Sequence, residues 1–372
     1  MLRLAFRNLF QSRVRLVISV GGVALALLLI LSLDAIMTGI EHQVTAYIDN
    51  SGADIWVSQE NVRNMHMAYS ALSASVPSRV RSVPGVQSAT PILYLTGYFE
   101  VGNERDAAYI IGLPQDVQAG GPWQVAEGKS APASKEIILD RGIAKRAGVG
   151  IGSQAKVLGE EFTIVGLSDG TAAITASVAF VSKKDWSRLQ AAVRTDAVSF
   201  VLAKVKPGES PAAIAAQIEA QVPKVTAQTR QVFASQERQV VDDMSTDLIT
   251  IMNLVGFLIG LAVMALTVYT ATLARRAEYG VLKALGARNT HLYRAVLGQA
   301  FISVALGLAL GFAFTLLLVA IVPLTGLPVA MEISGASLVK VSGISLVIAS
   351  LSALLPIRQI AGLDPAMVFR GK

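Results

Sequence analysis

The sequence contains no cysteine and only three histidines, His42, His66 and His291, which lie far apart along the chain. Without cysteine there is neither a disulfide nor a thiolate metal site, and the scattered histidines do not suggest a metal cluster. Charged residues are also scarce, at 16% of the 372 residues, whereas 53% are hydrophobic. This composition indicates a protein that lies partly in a lipid bilayer.

Four apolar runs are long enough to cross a hydrocarbon core of about 30 Å, which takes roughly 20 helical residues. They are Leu16 to Leu33, Leu248 to Leu273, Ala295 to Val322 and about Leu338 to Ile357. A signal peptide is the alternative for the first run, but its apolar core is longer than usual and no small-residue cleavage site is followed by an obvious mature start. We therefore predict four transmembrane helices, with one large polar insertion between the first and the second.

Positive charge is distributed unevenly. The segment before the first span, the connection between the second and third spans, and the tail together hold 12 lysines and arginines against 2 acids, whereas the insertion holds 19 against 22. Because positive charge is retained on the cytoplasmic side, both termini are predicted inside the cell and the insertion outside. The pI near 9.5 then reflects membrane topology, and nucleic acid is not a predicted partner.

The insertion is predicted to be an α+β domain. Helices leave the membrane at both of its ends and form a stalk, and between them strand-like runs alternate with turns and short helices. A piece from about residue 120 to 190 is richer in glycine and contains strands at Ala155 to Leu158 and Phe162 to Leu167 and a short helix that ends at Gly148. We interpret it as a second lobe inserted into the first.

Motifs for catalysis or metal binding are weak. The stretch "EGKSA" resembles the end of a phosphate-binding loop, but Trp123 stands where that loop needs a glycine. Asp242, Asp243 and Asp247 could ligate a metal, although a solvated stalk face is the stronger interpretation. Inside the spans only Lys340 lies near an interior, and because a charge at the bilayer centre costs at least about 2.5 to 3.5 kcal/mol, ion-coupled carriers normally leave more such residues. A proton-coupled or ion-coupled carrier is therefore disfavoured.

Small residues recur at helical spacing in two spans. Gly256 and Gly260 form one pair, and Ser303, Gly307 and Gly311 form a longer series. Such spacing lets helix backbones approach closely, within one chain or between subunits. The alternative is the ordinary abundance of glycine in membrane helices.

The cytoplasmic stretch "RRAEYGVLKALGAR", residues 275–288, combines four cations with a glutamate. It predicts a short amphipathic helix with Val281, Leu282 and Leu285 on a common side. Gly286 is placed for the cap that follows a helix C-terminus, and Lys283 suits the negative end of the helix dipole. Held between two spans, this helix could transmit a push; the alternative is a surface loop that only obeys the positive-inside rule.

Three motifs resemble the permease family of ABC transporters that includes MacB, LolC, LolE and, more distantly, FtsX. "RRAEYGVLKALGARNTHL" resembles the family's coupling helix, "LRLAFRNLFQSRVRLVISVGGVALAL" its amphipathic N-terminal helix and first span, and "LLPIRQIAGLDPAMVFR" its C-terminal ending. "GADIWV" and the stretch from Lys135 to Leu167 resemble its two-lobed periplasmic domain. The domains implied are 1–39 with the N-terminal helix and first span, 40–246 outside, and 247–372 with the remaining spans and the coupling helix.

The resemblance implies a non-catalytic permease of the bacterial cytoplasmic (inner) membrane. No fused ATPase is expected, so that ATP and Mg would be used by a separate cytoplasmic ATPase subunit, in two copies, and this chain would bind no cofactor itself. A second permease chain is implied, identical or different, and a periplasmic adaptor or lipoprotein is a further candidate partner. The candidate coupling positions are Glu278, Tyr279, Gly280, Leu282, Lys283, Leu285, Gly286, Ala287 and Arg288.

In such a transporter, closure of the ATPase subunits moves the outer domain by mechanotransmission, and the substrate exported or extracted is lipophilic, a lipoprotein or peptide-like. Tyr279 departs from the family pattern, in which many members carry a branched aliphatic residue. An FtsX-like regulator that activates a cell-wall hydrolase is the alternative function, and the size of the outer domain argues against it. A membrane-anchored enzyme or receptor is a third, for which the sequence shows no catalytic constellation.

Overall fold

The computed structural model describes residues 13–172, 176–189, 198–325 and 329–362. The chain divides into two compact units. The helical unit comprises Met1–Thr38, Ser245–Leu324 and Met331–Lys372, and the sheet unit comprises Gly39–Met244 and Thr325–Ala330. The amphipathic N-terminal helix expected before residue 13, and the Asp-Pro-Ala turn at the C-terminus, lie outside the described residues.

The elements of the described residues follow in chain order. The helices are α1 (Arg13–Asn50), α2 (Val76–Ser82), α3 (Arg141–Ala147), α4 (Trp186–Leu189), α5 (Pro211–Gln221), α6 (Arg230–Ala274), α7 (Arg276–Ala284), α8 (Asn289–Ile321), α9 (Gly335–Ser352) and α10 (Leu354–Ala361). The strands are β1 (Ile55–Gln59), β2 (Val86–Val101), β3 (Glu104–Leu113), β4 (Val125–Gly128), β5 (Glu136–Asp140), β6 (Gln154–Val157), β7 (Glu160–Ser168), β8 (Ser177–Ser182), β9 (Phe200–Val205) and β10 (Val225–Thr229). Single turns of 3₁₀ helix occupy Lys183–Asp185 and Val322–Thr325.

Four helical stretches are long and apolar enough to cross a membrane, as the sequence predicted. They are Leu16–Asn50 in α1, Ile249–Ala274 in α6, Asn289–Ile321 in α8 and Gly335–Ala361 across α9 and α10. Their leucines and valines are largely exposed on one side, as for helices solvated by lipid. The other side forms a core in which α1 contributes Val23, Leu27 and Ile30, all of them fully buried.

Lys340, the one cation that the sequence analysis placed near a span interior, is paired with an acid. Its ammonium lies 2.5 Å from a carboxylate oxygen of Asp34 on α1. Ser334 caps α9 by accepting a hydrogen bond of 3.0 Å from the backbone N–H of Ser337, and Glu332 N–H donates to the carbonyl of Ala35. The ion pair and the backbone hydrogen bond thereby join the segment around the start of α9 to α1. Because Asp34 supplies a counter-charge, Lys340 does not depend on bulk water to solvate its ammonium.

The sheet unit contains a ten-stranded mixed sheet with the order β10-β1-β9-β2-β3-β8-β5-β7-β4, while β6 pairs with β2 and β7. Strand β2 is long enough to serve two parts of it: residues from Val86 to Ile92 pair with β9, and residues from Leu93 to Val101 pair with β3. Strands β3 and β8 run parallel, as do β5 and β7. The domain is therefore α+β, as predicted, and its sheet is mixed.

The second lobe predicted for about residues 120–190 stays a prediction, because the sheet unit is one compact unit. The core around β5 to β7 also contains Leu93, Phe99, Ala108 and Ile110 of β2 and β3. The short helix α3 does end as predicted, at Gly148, which has a φ of 67° and donates its N–H to the carbonyl of Lys145.

Aromatic side chains join two long helices to the sheet. Trp56 of β1 is fully buried and stacks on Phe233 of α6, with ring centroids 4.9 Å apart and planes within 12°. Tyr47 of α1 meets the same indole edge-on at 5.9 Å, and its hydroxyl donates a hydrogen bond of 2.9 Å to the carbonyl of Gly120. Aromatic rings supply large buried area in rigid form, so the parts of α1 and α6 that belong to this unit are firmly packed against the sheet.

Candidate functional site

Helix α7 lies between two candidate spans and contains the residues predicted to couple to an ATPase. One side of it is buried in the core of the helical unit. Tyr279 is only 3% exposed and packs in the same core cluster as Leu292, Val296 and Ile360, and Leu282 packs against that cluster. Gly280 is also buried. The helix is thus anchored along one face and is not a loose surface loop.

Lys283 joins α7 to the last helix. Its ammonium donates hydrogen bonds of 3.1 and 3.0 Å to the backbone carbonyls of Ile360 and Ala361, at the end of α10. The sequence predicts that this cation meets the dipole of its own helix; the structure shows that it also caps the carbonyl end of α10. A cation at the unpaired carbonyls of a helix C-terminus is stabilising because it meets both their lone pairs and the helix dipole.

The end of α7 is defined by backbone geometry. Gly286 has a φ of 89°, which a side chain would make strained. Its N–H donates 3.0 Å to the carbonyl of Lys283, and the N–H of Ala287 donates 2.9 Å to that of Leu282. This double pattern is the Schellman motif, and it turns the chain sharply so that α8 begins at Asn289.

The opposite face of α7 is exposed. Val281 is 43% and Leu285 is 80% exposed, and Glu278 and Arg288 are exposed beside them. The predicted common side of Val281, Leu282 and Leu285 is therefore wrong: Leu282 packs inward with Tyr279, whereas the other two point away. The helix has two apolar faces, and the face that carries the aromatic ring of Tyr279 is the one that packs into the core.

Charge on the exposed face is partly paired. Arg275 is 13% exposed and places its guanidinium 3.5 Å from the carboxylate of Glu278. Burial raises the pKa of the Tyr279 phenol above its usual value, so this side chain stays neutral. The exposed side of α7 thus presents two aliphatic side chains, Val281 and Leu285, together with the charged side chains of Glu278 and Arg288.

The small residues of the spans lie where α1 crosses α6 and α8. A Cβ added at Gly256 would lie 2.8 Å from the side chain of Ile30, and one added at Gly311 would lie 2.9 Å from the backbone oxygen of Ala24. Gly260 faces Ala26 and Ile348, Gly307 faces Val23 and Ala24, and Ser303 is fully buried. These residues allow close packing between helices of this one chain.

Two family models match the chain and together cover most of it. Residues 16–221 match the MacB-like periplasmic core domain, and residues 250–365 match the FtsX-like permease C-terminal domain. The chain belongs to the MacB/FtsX family of ABC transporter permeases. The recognised family and the predicted class of fold, four apolar helices with an α+β domain, are thereby confirmed.

Relatives of this permease include an uncharacterized ABC transporter permease of Mycobacterium tuberculosis and one of Mycobacterium bovis, each 21% identical over 372 residues and covering the whole of both chains. Among solved structures, the periplasmic region of MacB from Actinobacillus actinomycetemcomitans matches 51% of this chain and 94% of its own, at 14% identity and a TM-score of 0.38. The extracellular domain of the noncanonic ABC-type transporter YknZ matches 47% and 99%, at 9% identity and a TM-score of 0.36.

The permease also has a recess in the sheet unit that its sequence did not reveal. It holds about 280 Å³ and is lined by Met65, Met67, Tyr69 and Tyr94, among others. His66 closes one side: its Nδ1 lies 2.6 Å from the buried carboxylate of Glu237, and its ring lies 4.2 Å from that of Tyr109. The partners are 171 residues apart, so no local pattern could have paired them. Among the described residues no three metal-ligating side chains of His, Asp or Glu come together, Asp242, Asp243 and Asp247 included.

Proposed function

We propose that this permease transmits the ATP-driven closure of a separate cytoplasmic ATPase subunit to its sheet unit through α7, and so drives export or extraction of a lipophilic, lipoprotein or peptide-like substrate. In this scheme the sheet unit lies outside the cytoplasmic membrane and both termini lie inside. Two ATPase subunits and two permease chains form the transporter, and the ATP and Mg belong to the ATPase.

The observation that carries the proposal is the two-faced geometry of α7. Its inner face is fixed to the spans by the buried ring of Tyr279 and to α10 by Lys283, while Val281 and Leu285 remain exposed. A helix attached on one face and open on the other suits the transfer of force between a docked subunit and the spans. A loop attached only at its ends would deform, and it would not pass the displacement of the ATPase on to the spans.

The composition of the spans supports transmission of force over passage of a polar substrate through the spans. No charged residue occurs from Ile249 to Ala274 or from Ala295 to Ile321, and Lys340 is paired with Asp34. A hydrophilic route through a membrane normally requires ionisable or polar side chains along it. The helices α1 and α6, which each contribute residues to both units, are the elements proposed to carry the motion.

The test is co-purification with the ATPase subunit after mild detergent extraction. Leu285→Glu places a charge in the centre of the proposed docking face, whereas Ile151→Glu makes the same change at a 48% exposed site of the sheet unit. We expect Ile151→Glu to retain the ATPase and Leu285→Glu to weaken binding about thirtyfold, the effect of losing an interface contact worth about 2 kcal/mol. Glu278→Lys, on the flank of the same face, is expected to weaken binding by a smaller factor.

Two results would contradict the proposed coupling to an ATPase. One is a parent chain that is active and carries no ATPase subunit. The other is full assembly and full transport by Leu285→Glu and Glu278→Lys alike. A crosslink from the sheet unit to a cell-wall hydrolase, with no transported molecule, would favour the regulatory alternative and would also contradict the export role.

A further inference from the structure

A groove of about 490 Å³ runs along the lipid-facing side of the helical unit, between α6 and the pair α9 and α10. Eight residues line it: Leu258, Leu261, Ala262 and Ala265 from α6, and Leu351, Leu354, Leu355 and Arg358 from the end of α9 and from α10. All but one are aliphatic. The exception, Arg358, is a permanent cation and has no part in the proposed coupling.

The groove is a built feature of the fold. The α6 wall repeats the spacing i, i+3, i+4, i+7, and the same spacing relates Leu351 of α9 to Leu354, Leu355 and Arg358 of α10, so each wall presents a stripe. On α6 the stripe includes two alanines, Ala262 and Ala265, whose small side chains leave the groove deep enough for a chain of methylenes to lie in it. One turn further along, the side-chain amide of Gln359 donates a hydrogen bond of 3.3 Å to the hydroxyl of Tyr269, and this contact holds the two walls together.

Arg358 lies at one end of the groove, in the last turn of α10. Its side chain is exposed, so the guanidinium can extend from there toward the membrane interface. Among the residues that the structure describes, no carboxylate pairs with Arg358; Asp364 of the tail lies outside them.

We propose that this groove holds one anionic phospholipid of the inner leaflet, with an acyl chain along the leucine stripes and the phosphate on Arg358. The chemistry at the two ends of the groove matches the two ends of that molecule. A guanidinium binds phosphate through parallel N–H donors, and a basic side chain between membrane helices on the cytoplasmic side favours an anionic headgroup.

The inference is independent of the ATPase and can be tested on the full permease alone. Leu354→Trp introduces a fluorescent reporter at a groove residue that is 53% exposed, and the parent chain corrects for the three tryptophans of the sheet unit. The protein is reconstituted in vesicles that contain brominated phosphatidylglycerol or brominated phosphatidylcholine, which quench a tryptophan in contact with them. We expect the reporter to prefer phosphatidylglycerol about fivefold, the effect of one cation near an anionic headgroup.

Arg358→Gln, added to the reporter chain, is expected to abolish the preference. Arg294→Gln removes an exposed arginine from α8, outside the groove, and is expected to preserve it. Ala262→Leu, which fills the floor and leaves the charge, is expected to reduce quenching by both lipids while the protein still elutes as a single species. The proposal would be overturned if the reporter chain were quenched equally by phosphatidylglycerol and phosphatidylcholine. It would also be overturned if a preference for phosphatidylglycerol survived Arg358→Gln. An absence of quenching by either lipid would overturn it too, because it would mean that protein covers the groove.

Discussion

Replacing Lys283 with methionine tests whether α7 is attached to the last helix. The change keeps the length of the side chain and removes the ammonium that donates to the carbonyls of Ile360 and Ala361 at 3.1 and 3.0 Å. A hydrogen bond from a charged group contributes roughly 1.5 to 3 kcal/mol when it is buried. One of these two contacts is solvent-exposed and the other only partly buried, so we expect a loss of about 1 to 2 kcal/mol for the pair.

A loss of that size lowers the unfolding temperature by roughly 2 to 8 °C in a unit of this length. Because the chain has no cysteine, a single reporter thiol is unambiguous. Ala353→Cys places it at a fully buried site beside the start of α10, where a thiol-reactive dye reports when the helix detaches. Lys283→Arg, which keeps the cation, is the control and is expected to retain most of the protection.

The expected outcome is that the thiol in Lys283→Met reacts at a lower temperature than in the parent, while Lys283→Arg stays close to the parent. Equal reactivity of Lys283→Met and the parent at every temperature would refute the reasoning. It would mean that the two hydrogen bonds add nothing to the attachment and that the ring of Tyr279 alone holds the coupling helix in place.

The remaining predictions concern packing. Tyr279→Ala is expected to cost about 3 to 5 kcal/mol of stability, because it empties a buried site, whereas Tyr279→Phe should stay close to the parent in a thermal-unfolding assay. Gly311→Ala should cost roughly 1 to 3 kcal/mol, since its Cβ meets a backbone oxygen at 2.9 Å, and Gly343→Ala, with no atom within 4 Å, should be neutral or stabilising. Phe233→Ala should lower the denaturant midpoint by an amount equivalent to about 3 to 5 kcal/mol, and Val232→Ala, at a 44% exposed neighbour, by much less. Equal effects within either of these last two pairs would contradict the packing described.

The order of spans, strands and short helices followed from the sequence because it depends on local patterns. Apolar length identified the four spans, and Gly148 marked the end of a short helix that the structure confirms. Such signals involve neighbours within a few residues, where propensity and hydrogen bonding act directly.

The partners of the coupling helix did not follow from the sequence. Val281 and Leu282 are both aliphatic, and nothing near them shows that Leu282 joins Tyr279 in the core while Val281 stays outside. Lys283 meets carbonyls 77 and 78 residues away, and backbone carbonyls carry no side-chain signature. The two pairing partners of β2 did not follow either, because the strand passes from β9 to β3 at Leu93 without a break.

Transmission of force from α7 to the sheet unit is the central claim, and the distance between two spin labels measures it most directly. One label is attached at Val232→Cys near the start of α6 and the other at Val339→Cys in the first turns of α9, both exposed sites. In the complex with its ATPase, the account predicts that the distance distribution shifts between the nucleotide-free state and the ATP-trapped state. In Lys283→Met the shift should shrink while ATP hydrolysis continues. The account would be contradicted if the distance distributions were identical in the nucleotide-free and ATP-trapped states of a complex that retains Lys283, hydrolyses ATP and transports substrate.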